Sequence, residues 1–164
     1  MQVHNTAIEG LRIIELDVHG DNRGWFKENW QREKLGEVAP ELASFQPVQN
    51  NISYNRTGAT RGLHAEPWDE LVSVANGKIF GAWCDLREGS ATFGEIVTHE
   101  VGPETAVFVP RGVANGFQAL EETSYSYLVN EHWSPEARYT GINLDAVEWP
   151  LEPREVAEKD KHLP

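Results

Sequence analysis

Short strand-like segments, repeated along most of the chain, constrain the fold more than any other feature of the sequence. Turn signals such as Asn76-Gly77 and Gly102-Pro103 separate one segment from the next. Many short strands at a spacing of about ten residues are typical of an antiparallel sandwich or barrel. Strands are predicted over residues 11–18, part of 19–30, 45–54, 70–75, 78–85, 93–100, 105–109, 115–120 and 123–130.

One stretch has a helical pattern. Residues 31–43 predict a short helix, which Gly36 and Pro40 interrupt. The tail from Trp149 to Pro164 is rich in proline and charged residues, a composition typical of a flexible chain end. No repeat, low-complexity stretch or linker divides the sequence. The sequence therefore predicts a single all-β domain over residues 1–164.

The charge balance argues against one class of partner. The net charge is −12, whereas nucleic-acid binding needs clustered lysine and arginine. A small phosphorylated ligand needs only two or three well-placed cations and stays compatible with this charge. Cys84 is the only cysteine, which excludes an intrachain disulfide. The N-terminus lacks a signal-peptide pattern and no apolar run approaches a membrane span, so we expect a soluble, cytoplasmic protein.

The stretch from Thr60 to Glu70 concentrates ionisable groups. It holds one arginine, one histidine and three carboxylates within eleven residues, between two strand-like segments. Such groups beside buried strands cost stability unless they are paired or used in function. The structural alternative is that His64 is a hydrogen-bonded histidine at a strand end, while the carboxylates face water.

Residue spacing in and after this stretch resembles the cupin family. The first cupin motif is matched by Gly58, His64, Glu66, Glu70 and Gly77, with Glu66 where the second histidine would be. The second motif is matched at residues 110–115, with Asn115 in place of its histidine. Glycine and proline in these motifs mark turns of a small jelly roll. The resemblance implies a cupin-type jelly-roll barrel or sandwich.

A metal-dependent cupin is one hypothesis from these motifs. Its ligands would be His64, Glu66, Glu70 and Asn115. Zinc, iron and nickel favour imidazole, and this set offers a single imidazole. The sequence therefore favours a cupin without a bound metal.

A second resemblance covers nearly the whole chain and rests on motifs that occur in order. Each motif is weak alone, but the combination is specific. They are Asp21-x-Arg23-Gly24-x-Phe26-x-Glu28, Gln49-x-Asn51-x-Ser53, Arg61-Gly62-Leu63-His64, Asp85-Leu86-Arg87-x-Gly89-Ser90-x-Thr92-Phe93-Gly94, Pro110-x-Gly112 with Gly116-Phe117, Ser134-Pro135, Trp149-Pro150 and Glu158-Lys159-Asp160. On these motifs the chain resembles the dTDP-4-dehydrorhamnose 3,5-epimerases, cupin-fold enzymes of deoxysugar-nucleotide biosynthesis.

This resemblance implies an isomerase without a cofactor, whose substrate is a 4-keto-6-deoxyhexose linked to dTDP. The ketone acidifies the C–H bonds at C3 and C5, so the enzyme needs a base on one face of the sugar and an acid on the other. His64 matches the family's base, Asp160 the aspartate that pairs with it, and Tyr127 the acid. Because Asp160 lies in the tail, the resemblance also implies that the tail is an ordered lid.

Substrate contacts are implied at five further positions. Arg61 and Lys159 match contacts to the diphosphate, and Trp133 matches the aromatic ring that stacks on thymine. Gln49 and Asn51 match substrate contacts on a strand that faces into the barrel. For Gln49, Asn51 and Tyr127, the alternative is a structural role as polar barrel residues that form hydrogen bonds with their neighbours.

Arg23, Phe26 and Glu28 match nucleotide contacts that, in the family, reach over from a second subunit. The resemblance therefore implies a homodimer with shared sites. Strand alternation would place Phe26 and Glu28 on one face. The local alternative is a turn arginine followed by core aromatic residues. A reductase that consumes the product is a further candidate partner.

Four positions depart from the family's pattern. Glu70 replaces a lysine near the substrate's ketone, Asn115 a histidine, Gly81 an aspartate and Arg138 a glutamate. A cation near the ketone would stabilise the enolate oxygen, whereas an ionised carboxylate would repel it. Either Glu70 is a neutral acid that donates a hydrogen bond, or the barrel's register places it elsewhere.

Together these observations predict a divergent epimerase that acts at C3, C5 or both carbons. Two alternatives stay open. One is a nucleotide-sugar-binding cupin that has lost turnover through the change to Glu70, and the other is the metal-dependent cupin.

Overall fold

Thirteen β-strands and one α-helix form the computed structural model, which describes residues 1–164. The strands are β1 (Gln2–Asn5), β2 (Arg12–Glu15), β3 (Val18–Asp21), β4 (Gly24–Lys27), β5 (Gln49–Asn55), β6 (Thr60–Ala65), β7 (Glu70–Asn76), β8 (Ile79–Asp85), β9 (Ile96–Val101), β10 (Thr105–Val109), β11 (Val113–Ala119), β12 (Thr123–Val129) and β13 (Thr140–Gly141). The helix α1 spans Arg32–Val38, and 3₁₀ turns cover Pro40–Leu42, Leu144–Ala146 and Glu158–His162.

Two antiparallel sheets form a sandwich. The six-stranded sheet has the order β1-β2-β10-β7-β12-β5, and the five-stranded sheet has the order β13-β6-β11-β8-β9. Strands β3 and β4 form a separate hairpin. The main core contains Val72 and Val107 from the first sheet and Trp83 and Phe117 from the second. The predicted all-β, cupin-type sandwich is confirmed.

Most predicted strands are found within a few residues of their expected ends. The segment predicted as one strand over 11–18 is two strands, because β2 pairs with β10 whereas β3 pairs with β4 in a separate hairpin. The predicted helix over 31–43 is α1 followed by a 3₁₀ turn that begins at Pro40. Proline has no N–H to continue an α-helix, which accounts for the break.

The proline-rich tail is ordered, as the family resemblance implies and against its composition. The Gln118 side chain makes two hydrogen bonds of 2.8 Å to the backbone of Leu151. It donates to the Leu151 carbonyl and accepts from the Leu151 N–H. Further on, Arg154 forms a parallel bridge with Ala59. The last residue, Pro164, accepts a hydrogen bond of 2.6 Å from the N–H of Asn143. These contacts return the tail to the five-stranded sheet.

No helix of the protein is long and apolar enough to cross a lipid bilayer.

The neighbouring ring of Trp83 accounts for Gly81, one of the four departures from the family's pattern. The Trp83 side chain is fully buried and occupies the space that a Cβ at residue 81 would enter. A larger residue at 81 therefore requires the indole to move.

The motif that begins at Asp85 stabilises a turn and lies outside the cleft described below. Asp85 is fully buried and accepts hydrogen bonds from Arg87, Ser90 and Thr92 at 2.6–3.0 Å. Burial alone would raise the pKa of this carboxyl, but the hydrogen bonds outweigh it and hold the pKa well below its usual range. The charged carboxylate is therefore the form that stabilises the fold.

Replacing Asp85 by asparagine should lower the free energy of unfolding by about 2–4 kcal/mol near pH 7, because a buried charge and its partners are separated. The deficit should be fully present above about pH 4 and should shrink as the pH falls, since the wild-type carboxylate is then protonated. Denaturant unfolding measures it. The control Asp145→Asn, at an exposed position, should change stability by no more than about 0.5 kcal/mol. An equal loss in both variants would contradict this role for Asp85.

Candidate active site

A cleft of about 750 Å³ opens between the two sheets. Its walls come from β5, β7 and β12 on one side, β6 and β11 on the other, and the tail across the end. Ten of the predicted site residues line this cleft, and the exceptions are Arg23, Phe26 and Glu28. The ten are Gln49, Asn51, Arg61, His64, Glu70, Asn115, Tyr127, Trp133, Lys159 and Asp160.

A bulge in β6 places both Arg61 and His64 in the cleft although they are three residues apart. On β11 their partners Phe117 and Asn115 are only two residues apart, so β6 carries one extra residue there. Gly62 lies at this bulge with a φ of 116°, and a Cβ at this residue would come within 2.6 Å of the Gly116 Cα. Only glycine fits this close approach.

His64 and Asp160 form the most closely bonded pair in the cleft. His64 Nε2 lies 2.6 Å from Asp160 Oδ1, and the other carboxylate oxygen accepts the Gly62 N–H at 3.2 Å. Asp160 is 2 % exposed, whereas 24 % of the His64 side chain is open to the cleft. The hydrogen bond to the carboxylate favours the tautomer with its proton on Nε2. The lone pair of Nδ1 is then free to accept a proton.

Tyr127 belongs to the opposite wall. It lies on β12, paired with Asn51 of β5, whereas His64 lies on β6 of the other sheet. Burial, the charge of Glu70 and, to a smaller degree, that of Glu66 raise the pKa of the Tyr127 hydroxyl. The hydroxyl therefore keeps its proton at neutral pH and is suited to donate it.

The outer part of the cleft carries the groups predicted to hold a nucleotide diphosphate. Arg61 Nε donates to Asn55 Oδ1 at 2.7 Å, which fixes the guanidinium and leaves its terminal nitrogens for a ligand. Lys159 brings a second cation from the tail. Trp133 is 59 % exposed, and its backbone N–H donates to Gln49 Oε1 at 3.1 Å. Gln49 also donates to Asn51.

Two of the carboxyl groups that line the cleft, Glu66 and Glu70, have raised pKa values. Burial raises the pKa of Glu66 to about 7, although Lys159 opposes the shift. Burial and the charge of Glu66 raise the pKa of Glu70 to about 8, against a hydrogen bond of 3.1 Å from the Trp68 indole. The register does not move Glu70 away from the site, which removes one of the two explanations considered for this departure.

Asn115 donates its side-chain amide to the Tyr125 hydroxyl at 3.0 Å. Tyr125, Trp68 and Tyr139 also line the cleft and were missed by sequence reasoning. Tyr125 has a recognisable signal, because it lies two residues before Tyr127 on the same strand and therefore on the same face. Trp68 and Tyr139 pack edge to face and follow no strand pattern, so the sequence offers no comparable signal.

Three predicted residues lie outside this cleft. Arg23 is paired with Asp21 at 2.6 Å on the β3–β4 hairpin, and Phe26 is 65 % exposed there. Glu28 accepts a hydrogen bond from Lys34 at 2.8 Å. Phe26 is not a core aromatic residue, so that local alternative is wrong. Their contact with a second subunit stays a prediction.

The metal-dependent alternative lacks a ligand set. No group of three or more histidine, cysteine, aspartate or glutamate side chains is arranged to hold an ion. His64 is bound to Asp160, and Asn115 to Tyr125.

Comparison with known proteins assigns this architecture to a family. The family model of dTDP-4-dehydrorhamnose 3,5-epimerase matches residues 5–164. The chain belongs to the dTDP-4-dehydrorhamnose 3,5-epimerase family. An RmlC homolog of Streptococcus pyogenes is 48% identical over 96% of this chain and 85% of its own length.

Two solved structures of this epimerase family show the same fold. RmlC from Streptococcus suis, in complex with dTDP-D-xylose, has a TM-score of 0.91 at 44% identity, covering 99% of this chain and 90% of its own. The Legionella pneumophila enzyme, in complex with dTDP-4-keto-L-rhamnose, has a TM-score of 0.87 at 34% identity. The match covers 97% of this chain and 89% of the Legionella chain. Both are complexes with dTDP-sugars, so this family scaffold holds such ligands.

Proposed function

We propose that this protein epimerises a dTDP-4-keto-6-deoxyhexose at C3, C5 or both carbons, without a cofactor. One observation carries the proposal: the His64–Asp160 pair and Tyr127 lie on opposite walls of one cleft. This is the arrangement needed to remove a proton from one face of a sugar and deliver another to the opposite face. Membership of the family and its dTDP-sugar complexes supports the substrate class.

The proposed reaction is a proton exchange next to the ketone. His64 Nδ1 accepts the proton, and the C–H electron pair becomes the enolate double bond as the carbonyl pair moves to oxygen. Asp160 stabilises the resulting imidazolium. Tyr127 then gives its proton to the carbon from the other face as the carbonyl re-forms. Imidazolium and phenolate return to their starting forms by proton exchange with solvent, so nothing is consumed.

The dTDP moiety is assigned to the outer cleft. The free terminal nitrogens of Arg61 and the ammonium of Lys159 face a space suited to a diphosphate. Trp133 has most of its ring exposed at the mouth and offers a face for the base. These two cations would allow the protein to bind an anionic ligand although its net charge is −12.

The proposed assembly is a homodimer with shared sites. Phe26 and Arg23 lie on an exposed hairpin, away from the cleft of their own chain, although their motif is shared with the family's nucleotide contacts. Trp25 of the same hairpin is also largely exposed. In the dimer, the partner's cleft would cover this surface, and the Phe26 ring and the Arg23 guanidinium would contact the nucleotide bound there.

A second candidate is a nucleotide-sugar-binding protein without turnover. The observation that favours it is the presence of Glu66 and Glu70 in the cleft, since ionised carboxylates would repel an enolate. Tight binding of dTDP without proton exchange would identify this function.

In D₂O, the wild-type protein should remove the proton NMR signal at C3, C5 or both carbons of dTDP-4-keto-6-deoxyglucose. His64→Asn should slow this exchange by about 10²–10⁴-fold, because it removes the base, while leaving the binding of dTDP largely intact. His99→Asn is the matched control, since His99 lies on β9 outside the cleft.

Loss of both signals would identify a double epimerase, and loss of one a mono-epimerase. Saturable dTDP binding by the wild type without any exchange would favour the binding protein instead. Equal rates for His64→Asn and the wild type would remove His64 as the base.

Shared sites predict complementation between two inactive variants. The His64→Asn variant lacks the proposed base. The Phe26→Ala variant lacks the aromatic ring that is proposed to contact the ligand in the partner's cleft. A mixed dimer contains one site with both residues intact, so an equal mixture should recover about a quarter of wild-type activity after subunit exchange. Exchange rates measured before and after mixing test this. Activity that stays at the average of the two variants would contradict the shared site.

A further inference from the structure

Glu70 is buried in the cleft without a cationic partner. It is the first residue of β7, flanked by Val109 of β10 and Val129 of β12, and it is 4 % exposed. One oxygen accepts the Trp68 indole N–H, and no ion pair is formed. The neighbouring carboxyl of Glu66 is also unpaired, and its Oε2 is buried without any hydrogen-bond partner. An unpaired buried carboxylate is costly, so protonation is the favoured solution.

The groups that face Glu70 support this protonation. Glu66, the residue after β6, raises the pKa of Glu70, whereas Lys159 lowers the pKa of Glu66 and is not among the groups that shift Glu70. The adjoining strand β10 has only one polar residue, Thr105. Asp69 is bound to Asn130. The remaining titratable groups that line the cleft are Arg61, His64, Tyr125, Tyr127, Tyr139, Glu155 and Asp160.

Two side-chain amides of the cleft each donate one hydrogen bond within the chain. The Asn115 amide donates to Tyr125, and the Gln49 amide donates to Asn51. Glu70 Oε2 makes no hydrogen bond within the chain, and the residue lines the same cleft as His64 and Tyr127. A proton on this oxygen is therefore a donor left for a ligand.

We propose that Glu70 acts as a neutral carboxylic acid whose Oε2–H donates a hydrogen bond to the substrate's carbonyl oxygen. It would hold the negative charge of the enolate after His64 removes the carbon-bound proton, the role that a lysine has elsewhere in the family. The donor keeps its proton when the carbonyl re-forms, so the proton balance of the reaction is unchanged. Glu66 would keep Glu70 protonated.

This inference rests on the proposed function and predicts a pH profile. Exchange by the wild type should fall as the pH rises above about 8, because ionised Glu70 no longer donates and repels the enolate. Glu70→Gln retains a neutral donor, so its profile should lack this decline. Glu70→Ala should be slower by about 10²–10³-fold, since the donor is lost.

Two further variants make the profile specific. Glu66→Gln removes the charge that raises the Glu70 pKa, so the decline should move to lower pH. Glu88→Gln, in an exposed turn outside the cleft, should leave the profile unchanged. A decline that persists in Glu70→Gln would overturn the proposal, as would a flat wild-type profile up to about pH 9.

A readout without substrate separates this inference from the proposed function. In protein labelled with ¹³C at glutamate carboxyls, NMR should show a carboxyl that titrates near pH 8 and is absent from Glu70→Gln. Titration of every glutamate in the ordinary range would overturn the neutral acid, even if exchange occurs. Absence of exchange by the wild type at every pH would instead overturn the proposed function, and with it the role of Glu70 at the ketone.

Discussion

The hydrogen bond between His64 and Asp160 is the interaction on which the site depends. It joins residues 96 positions apart and brings the end of the chain onto the cleft. The same aspartate accepts the N–H of Gly62 in the bulge of β6, so one carboxylate fixes both the histidine ring and the strand that carries it. The contacts of Gln118 and Arg154 with the rest of the chain set the path of the tail that makes this possible. The ordered tail is therefore what completes the His64–Asp160 pair.

Burial of titratable groups determines the other protonation states in the cleft. Tyr127 and Glu70 are both held in their protonated forms by burial, and each acid raises the proton affinity of its neighbours. A cleft of this kind supplies neutral donors where a cation would otherwise serve. Under the proposed function, the two cations of the cleft, Arg61 and Lys159, would bind the phosphates. Under the proposed function, a neutral Glu70 would stabilise the enolate where the resemblance to the family implies a lysine.

Strand periodicity in the sequence predicts most of the strands, whereas the candidate site residues were inferred from the resemblance to the epimerase family. Period-2 alternation is set by the pleat, so Gln49 and Asn51 had to share a face with one another. The bulge at Gly62 was not predictable, because it depends on the close approach of Gly116 on another strand. The protonation of Glu70 depends on burial and on Glu66, which only the folded chain brings together. The composition of the tail indicated flexibility because its hydrogen-bond partners lie far away in the sequence.

Two-sided proton transfer is the central claim, and Tyr127→Phe tests it most directly. The variant keeps the base but loses the acid on the opposite wall. Incubated in D₂O with dTDP-4-keto-6-deoxyglucose, it should incorporate deuterium next to the ketone while the sugar keeps its configuration, because His64 removes and returns protons on one face. Proton NMR measures both the exchange and the configuration. Inverted product at the wild-type rate would contradict the assignment of Tyr127 as the acid. An absence of exchange would contradict the claim that His64 removes a proton without the help of Tyr127.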